Sequence, residues 1–273
     1  MEKKKNIKKF VSEAYGNIAR EGNSCCGPSS CAPDQKAYLT GIGYSAEEID
    51  TIPEEANLSL GCGNPTAMAQ IKEGEIVLDL GCGAGADCFL AAKKVGPEGR
   101  VIGVDMTPEM IEKARNNARE SSIDNVEFRL GEIENLPLAD NSADIIISNC
   151  VINLSADKSR VFEEILRVLK PGGRISISDI ALTEELPSPI KESEQAYVGC
   201  ISGAILKDDY EQIVKDQGFK DVEIVTHDSS ACIASFTNDP VAKELLAALK
   251  NYETDVTEKL QEIVKSVNIK GEK

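Results

Sequence analysis

Apolar residues Ile7, Phe10, Val11, Ala14, Ile18 and Ala19 recur at helical spacing over residues 3–22, which predicts an amphipathic helix stopping near Gly22. Residues 23–35 lose that period and mix Gly, Pro and Ser with Cys25, Cys26 and Cys31, the composition of an irregular loop. Ser45-Ala-Glu-Glu-Ile places Glu48 at the capping-box position of a short helix. From residue 75 the pattern alternates between periods of two and 3.6. Strands are expected at 75–80, 101–105, 126–130, 143–148 and 174–179, and helices at 85–95, 108–120 and 158–169, with Lys170-Pro171-Gly172-Gly173 turning into the last strand. This alternation predicts an α/β fold with a doubly wound sheet. Beyond Asp179 the rhythm changes. Pro187 and Pro189 precede a helical stretch carrying Cys200, a helix at 208–217 is closed by Gly218, and 222–226 and 231–237 read as an antiparallel edge. Asp239-Pro240 then opens a long helix from 241 to about 267. The chain accordingly divides into an N-terminal helix and cysteine-containing loop (1–70), a Rossmann-like domain (71–180), and a tail with an insertion, the terminal strands and a helix (181–273).

Length and composition narrow the class. A chain of 273 residues suits one α/β domain of about 200 residues with added segments. Hydrophobic residues at 41% and charged residues at 28% are globular values, and no apolar run is long enough for a bilayer. The start is basic, but residues 6–18 contain no continuous apolar stretch of the kind an export signal needs, so a cytoplasmic protein is expected. Nine cysteines there should stay reduced, which favours ligand or catalytic roles over a disulfide framework. The net charge of −16 opposes a nucleic-acid backbone and suits a cationic or neutral small molecule.

The strongest chemical signal is Ile76-Val-Leu-Asp79-Leu-Gly81-Cys82-Gly83-Ala84-Gly85, with glycines at alternate positions where a strand turns into a helix. Such a turn lets backbone approach a ligand at a helix N-terminus, and Asp105 ends the next strand where a carboxylate can take ribose hydroxyls. Glycine turns also serve simple strand-to-helix packing, but several matching features in chain order favour a ligand. The third glycine arrives one residue early for a dinucleotide fingerprint, which leaves NAD as the weaker alternative. The loop resembles that of class I S-adenosylmethionine methyltransferases, and Leu169-Lys-Pro-Gly-Gly-Arg174 matches a later turn of the same superfamily. That resemblance implies S-adenosylmethionine as cofactor. It also implies a binding set of Asp79, Gly81, Cys82, Gly83, Gly85, Asp105, Met106, Glu132, Ile133, Glu134 and Asn149.

The acceptor is less plain. Methyl transfer to oxygen or nitrogen often needs a base, yet the single histidine, His227, lies beyond the predicted sheet core. Thiolates offer another chemistry, because they bind soft centres. Cys62 stands in Gly61-Cys62-Gly63-Asn64-Pro65, Cys150 just past a strand C-terminus, and Cys200 in the insertion. Three thiolates suit pyramidal trivalent arsenic, whose lone pair can attack a methyl sulfonium without a base. Spacing alone favours the plainer reading of these cysteines as small buried hydrophobes, which also covers Cys82, Cys88 and Cys232. The motifs around them reverse it. Leu60-Gly-Cys-Gly-Asn-Pro65, Val104-Asp-Met-Thr-Pro-Glu-Met110, Phe128-Arg-Leu-Gly-Glu-Ile-Glu134 and Ile147-Ser-Asn-Cys-Val-Ile-Asn-Leu154 resemble the arsenite methyltransferases over residues 25–237.

That resemblance implies arsenic held by Cys62, Cys150 and Cys200, with arsenite or its thiol conjugates as substrate. It also implies a thiol reductant such as thioredoxin or glutathione, and a redox or relay role among Cys25, Cys26 and Cys31. The last three could instead bind zinc, although adjacent cysteines chelate one ion poorly, or form a functionally silent loop. A monomer with no nucleic-acid or membrane partner is expected. The alternatives are carbon methylation of a quinone-like acceptor, indifferent to the cysteines, and a non-enzymatic metalloid sensor.

Overall fold

A computed structural model of the chain describes residues 2–21, 35–227, 229, 233 and 256–273. Cys25, Cys26, Cys31 and Cys232, the expected strand at 231–237 except Ile233, and the expected helix at 241–255 lie outside the described residues.

Seven strands form one mixed sheet: β1 (Ile76–Leu80), β2 (Arg100–Asp105), β3 (Val126–Leu130), β4 (Ala143–Asn149), β5 (Leu169–Leu182), β6 (Lys220–His227) and β7 (Val264–Glu272). Their order is β3-β2-β1-β4-β5-β7-β6, with β1 to β5 parallel and β7 antiparallel to both neighbours. This is the class I methyltransferase arrangement. Near-continuous apolar runs such as Ile145-Ile146-Ile147 form central strands because both sheet faces are covered. Ile145 and Ile147 join Val77, Phe89 and Leu90 on one face, while Ile146 joins Leu78, Phe162 and Tyr210 on the other. The helices supplying those layers are α5 (Ala86–Val95) and α6 (Pro108–Glu120) on the first face, and α7 (Lys158–Val168) and α10 (Lys207–Asp216) on the second.

The N-terminal helix α1 (Glu2–Glu21) is followed by α2 (Gln35–Gly41), α3 (Ala46–Ile49) and α4 (Pro65–Met68). Ser45 and Glu48 form the expected capping box on α3. Three expectations need correction. Among the described residues the last strand of the sheet lies C-terminal to the expected 231–237. The C-terminal residues 264–272 form β7, and the helix α11 (Val256–Ile263) stops where the expected long helix was to run on. Val267, Ile269 and Gly271 are buried at alternate positions, a period of two, and the gap between β5 and β6 recruits them. Cys200 is not on a helix either: it follows α8 (Ser188–Lys191) and α9 (Glu194–Val198) in a turn with φ 63°.

Candidate active site

The turn after β1 is held by Gly81 and Cys82, whose N–H groups both donate to Val104 O at 2.8 and 3.1 Å. Gly81 has φ 65°, and a Cβ there would come within 2.3 Å of Val151, so packing demands glycine. At Gly83, φ 52°, an added Cβ would find nothing nearer than Met110 Sδ at 4.0 Å. Its missing side chain therefore leaves open space, the feature a ligand needs. That space is part of a cleft of about 1160 Å³, open at its mouth, at the C-terminal ends of β1, β2 and β4. This is where open α/β sheets bind ligands. Of the expected cofactor residues, Asp79, Gly81, Cys82, Gly83, Asp105, Met106, Ile133, Glu134 and Asn149 line it. Gly85 and Glu132 are not among the lining residues: Gly85 caps α5, and Glu132 pairs with Lys8.

The wall is anionic. Asp79, Asp87 and Asp105 all line the cleft. Burial, then the neighbouring charge of Asp87, pushes the Asp79 carboxyl well up. Burial likewise raises Asp87, partly offset by hydrogen bonds from Tyr44 and Asn149, and Asp105, partly offset by the N–H groups of Thr107 and Gly83. Asp105 accepts those two bonds at 2.8 and 3.0 Å, which fixes the carboxylate and leaves lone pairs for a ribose. Buried carboxylates that gain from a nearby positive charge fit the ammonium and sulfonium of S-adenosylmethionine. The donor set and the glycine opening thus agree with that cofactor.

Sequence reasoning missed several contributors. Lys8, Val11 and Tyr15 of α1 line the cleft, although α1 is far away in the chain. Lys8 Nζ reaches Glu132 at 2.6 Å and Glu134 at 3.1 Å; burial opposes its charge, but these carboxylates outweigh that and raise its pKa. Arg20 pairs with Glu109 at the other end of the helix. Tyr44, fully buried, donates to Asp87 Oδ1 at 2.7 Å. Asp87 had a readable signal, an acidic residue in the first turn of the helix after the glycine loop. Lys8 had none.

The candidate thiols lie in one apolar cluster with Val11, Leu154, Ile180 and Leu260. Where composition led us to expect reduced cysteines, Cys62 and Cys150 are joined as a disulfide across 88 residues of sequence, with Cα atoms 5.8 Å apart. That pairing is possible because the 61–63 loop lies against the end of β4, a contact no local pattern reports. Cys200 donates its thiol hydrogen to Cys150 O at 2.9 Å. Cys150 and Cys200 both hold left-handed backbone, φ 60° and 63°, which costs a non-glycine residue on the order of 1–3 kcal/mol and is common at functional sites. Cys150 also lines the cofactor cleft, whereas Cys62 and Cys200 do not.

A carboxylate oxygen of Asp179 lies within 4.8 Å of both bonded sulfurs, and the sequence reading did not single out this residue. Burial raises its pKa to about 6, against bonds from Ile180 N–H and Tyr210 and the charge of Lys158. Burial pushes the Cys82 thiol to about 11 and the Cys88 thiol well above its ordinary value, so neither is a nucleophile near neutral pH.

A methyltransferase-domain family model matches residues 71–218. An arsenite methyltransferase of Halobacterium salinarum is 47% identical over 82% of this chain and 60% of its own length. A demethylmenaquinone methyltransferase of Listeria welshimeri is 34% identical, over 41% of this chain and 48% of its own. Among solved structures, an arsenic(III) S-adenosylmethionine methyltransferase from Chlamydomonas reinhardtii superposes with a TM-score of 0.61 at 32% identity, covering 88% of this chain and 74% of that one. The chain spans about 60% of the length of the arsenite methyltransferase from Halobacterium. Similarity that runs through the cofactor half and on across the cysteine-bearing segments places the chain in the arsenite methyltransferase family.

Proposed function

We propose that this protein transfers methyl groups from S-adenosylmethionine to trivalent arsenic held by Cys62, Cys150 and Cys200. The observation that carries the reading is the double position of Cys150, which both lines the cofactor cleft and belongs to the thiol cluster. S-adenosylmethionine supplies an electrophilic methyl on a sulfonium. The anionic wall of Asp79, Asp87 and Asp105 would hold its cationic end, and Gly83 would admit it to the turn. The thiols would aim an arsenic lone pair at the methyl carbon, an alignment able to contribute several kcal/mol. No general base is needed, which agrees with the absence of histidine from the cleft lining.

For Cys62 and Cys150 both to act as arsenic ligands, their disulfide must first accept two electrons from an external thiol such as thioredoxin or glutathione. Each methylation formally oxidises arsenic by two electrons, and the same reductant class returns it to the trivalent state. We place the enzyme in the cytoplasm as a monomer without nucleic-acid or membrane partners; no helix among the described residues is long and apolar enough to cross a membrane. Light scattering that gave a dimer mass would correct the oligomeric part.

Reduced protein incubated with arsenite, thiol and labelled S-adenosylmethionine should form methylated arsenic. Cys150→Ser and Cys200→Ser should abolish that product while S-adenosylhomocysteine still binds by calorimetry. Absence of product across a range of reductants would end the arsenic reading. A quinone-like acceptor has support in the demethylmenaquinone methyltransferase match. Full activity of both serine variants on such an acceptor would put that reading first.

A further inference from the structure

Asn149 stands between the cofactor cleft and the loop of Cys62. Its Oδ1 accepts from Cys62 N–H at 2.9 Å. Its Nδ2 lies 2.8 Å from Gly63 O, 3.0 Å from Asp87 Oδ2 and 3.0 Å from Tyr44 Oη. The amide orientation follows from chemistry, because a peptide N–H can only donate and an ionised carboxylate can only accept. Two amide hydrogens therefore serve three acceptors, two on the cleft side and one on the Cys62 side. The loop is pressed closely onto this amide: a Cβ at Gly61 would come within 2.5 Å of Nδ2. Tyr38 Oη donates to Gly61 O at 2.7 Å and Ser266 Oγ to Cys62 O at 3.0 Å, so the rest of the loop is anchored; Gly61 itself lines the cleft, and Asn149 is the side chain that joins the peptides of Cys62 and Gly63 to it.

We propose that Asn149 is a positioning residue that transmits occupancy of the cofactor cleft to the peptide of Cys62. A positively charged ligand group that engages Asp87 takes over part of what the amide now supplies. The released hydrogen then goes fully to Gly63 O, and the Cys62 loop is clamped at both Cys62 N–H and Gly63 O. Binding in one site thereby fixes a thiol in the other before the acceptor is aligned. The inference rests on the methyltransferase reading for the identity of the cleft ligand, and on the hydrogen-bond geometry for the link.

The test is the alkylation rate of each cysteine in the reduced full chain, followed by mass spectrometry with and without S-adenosylhomocysteine, whose ammonium can meet the anionic wall. Cys150 lines the cleft and reports direct shielding; Cys62 does not line it although Gly61 beside it does, so the transmitted effect is the part of the Cys62 protection that depends on Asn149. In the unaltered protein the ligand should slow Cys62 alkylation by about fivefold or more, the low end of ordinary coupling between sites, and by less than about twofold in Asn149→Ala. Gly61→Ala, which wedges a methyl against the amide without removing it, should lose the same protection and serves if Asn149→Ala does not fold.

Because Asn149 and Gly61 both line the cleft, calorimetry first gives the affinity of each variant for S-adenosylhomocysteine, and alkylation rates are compared with every protein saturated by the ligand. Unchanged Cys62 reactivity in the unaltered protein, or full protection retained in both variants, would overturn the link. Failure of the unaltered protein to bind the ligand would overturn the cofactor reading and the link together. Protection at Cys62 alongside no methylation of arsenite would refute the acceptor and uphold the link.

Discussion

At the residue scale the site is a set of side chains held where they are costly. Asp105 is buried, and two peptide N–H groups hold it as a rigid acceptor at the end of β2. Asp105→Asn keeps its size but replaces an acceptor with a donor. It should weaken S-adenosylhomocysteine binding by roughly 10- to 100-fold, the loss expected for a charge-assisted hydrogen bond, and calorimetry reads that directly. An affinity within error of the unaltered protein would mean that Asp105 serves only its turn. Cys150 and Cys200 carry the left-handed backbone that glycine would adopt without strain. Glycine substitution should therefore remove the thiol chemistry without lowering the melting temperature in proportion to the lost side chain. The glycines and acids of the cofactor half were legible because they lie within one strand-turn-helix unit and the strand after it. Asp179 was not, because nothing local distinguishes an acid at the end of a strand from any other.

At the element scale, two pieces complete the site from the ends of the chain. The helix α1 lays Val11 into the thiol cluster and Lys8 against Glu132 and Glu134 at the cleft. Its ion pairs are partly exposed and contribute about 0–1 kcal/mol each, so the buried apolar contact dominates. Val11→Ala should cost about 1–3 kcal/mol and speed cofactor release, whereas Arg20→Ala at the exposed end should change little. Stopped-flow dissociation of a fluorescent analogue of S-adenosylhomocysteine distinguishes them; equal off-rates for both variants would deny α1 its part in covering the site. The strand β7 fills the place between β5 and β6, and Ile269 is fully buried there. Ile269→Ala should cost about 2–5 kcal/mol in urea unfolding, far more than an exposed position on a solvated helix would. The period of 3.6 in 241–267 was real enough to predict a helix, yet an open sheet position with two waiting edges outweighs local propensity.

At the scale of the whole molecule, charge ties stability to the ligand. Asp79 and Asp87 have folded pKa values raised above the unfolded value of about 3.9. Their contribution to stability is then complete at pH below that value and is lost as pH rises through the raised pKa values. A cation in the cleft offsets this loss only where the carboxylates are ionised. The thermal shift given by S-adenosylmethionine should therefore grow as pH rises from below about 3.9 through the raised pKa values, and grow less for S-adenosylhomocysteine, which lacks the sulfonium charge. Equal shifts for the two ligands at every pH would show that the wall does not sense that charge.

The sequence by itself determined the cofactor half of this protein. Asp79, the alternating glycines and Asp105 sit in consecutive elements, and short-range pattern and turn chemistry dictate such elements. Only the tertiary structure decided that Cys62, Cys150 and Cys200 meet, because 88 residues separate the bonded pair and 50 separate Cys150 from Cys200. It also decided that α1 borders the cleft and that the C-terminal residues form a strand. Long-range contacts of this kind follow from which sheet edge and which apolar face remain uncovered once the local elements have formed, and no window of the sequence contains that information.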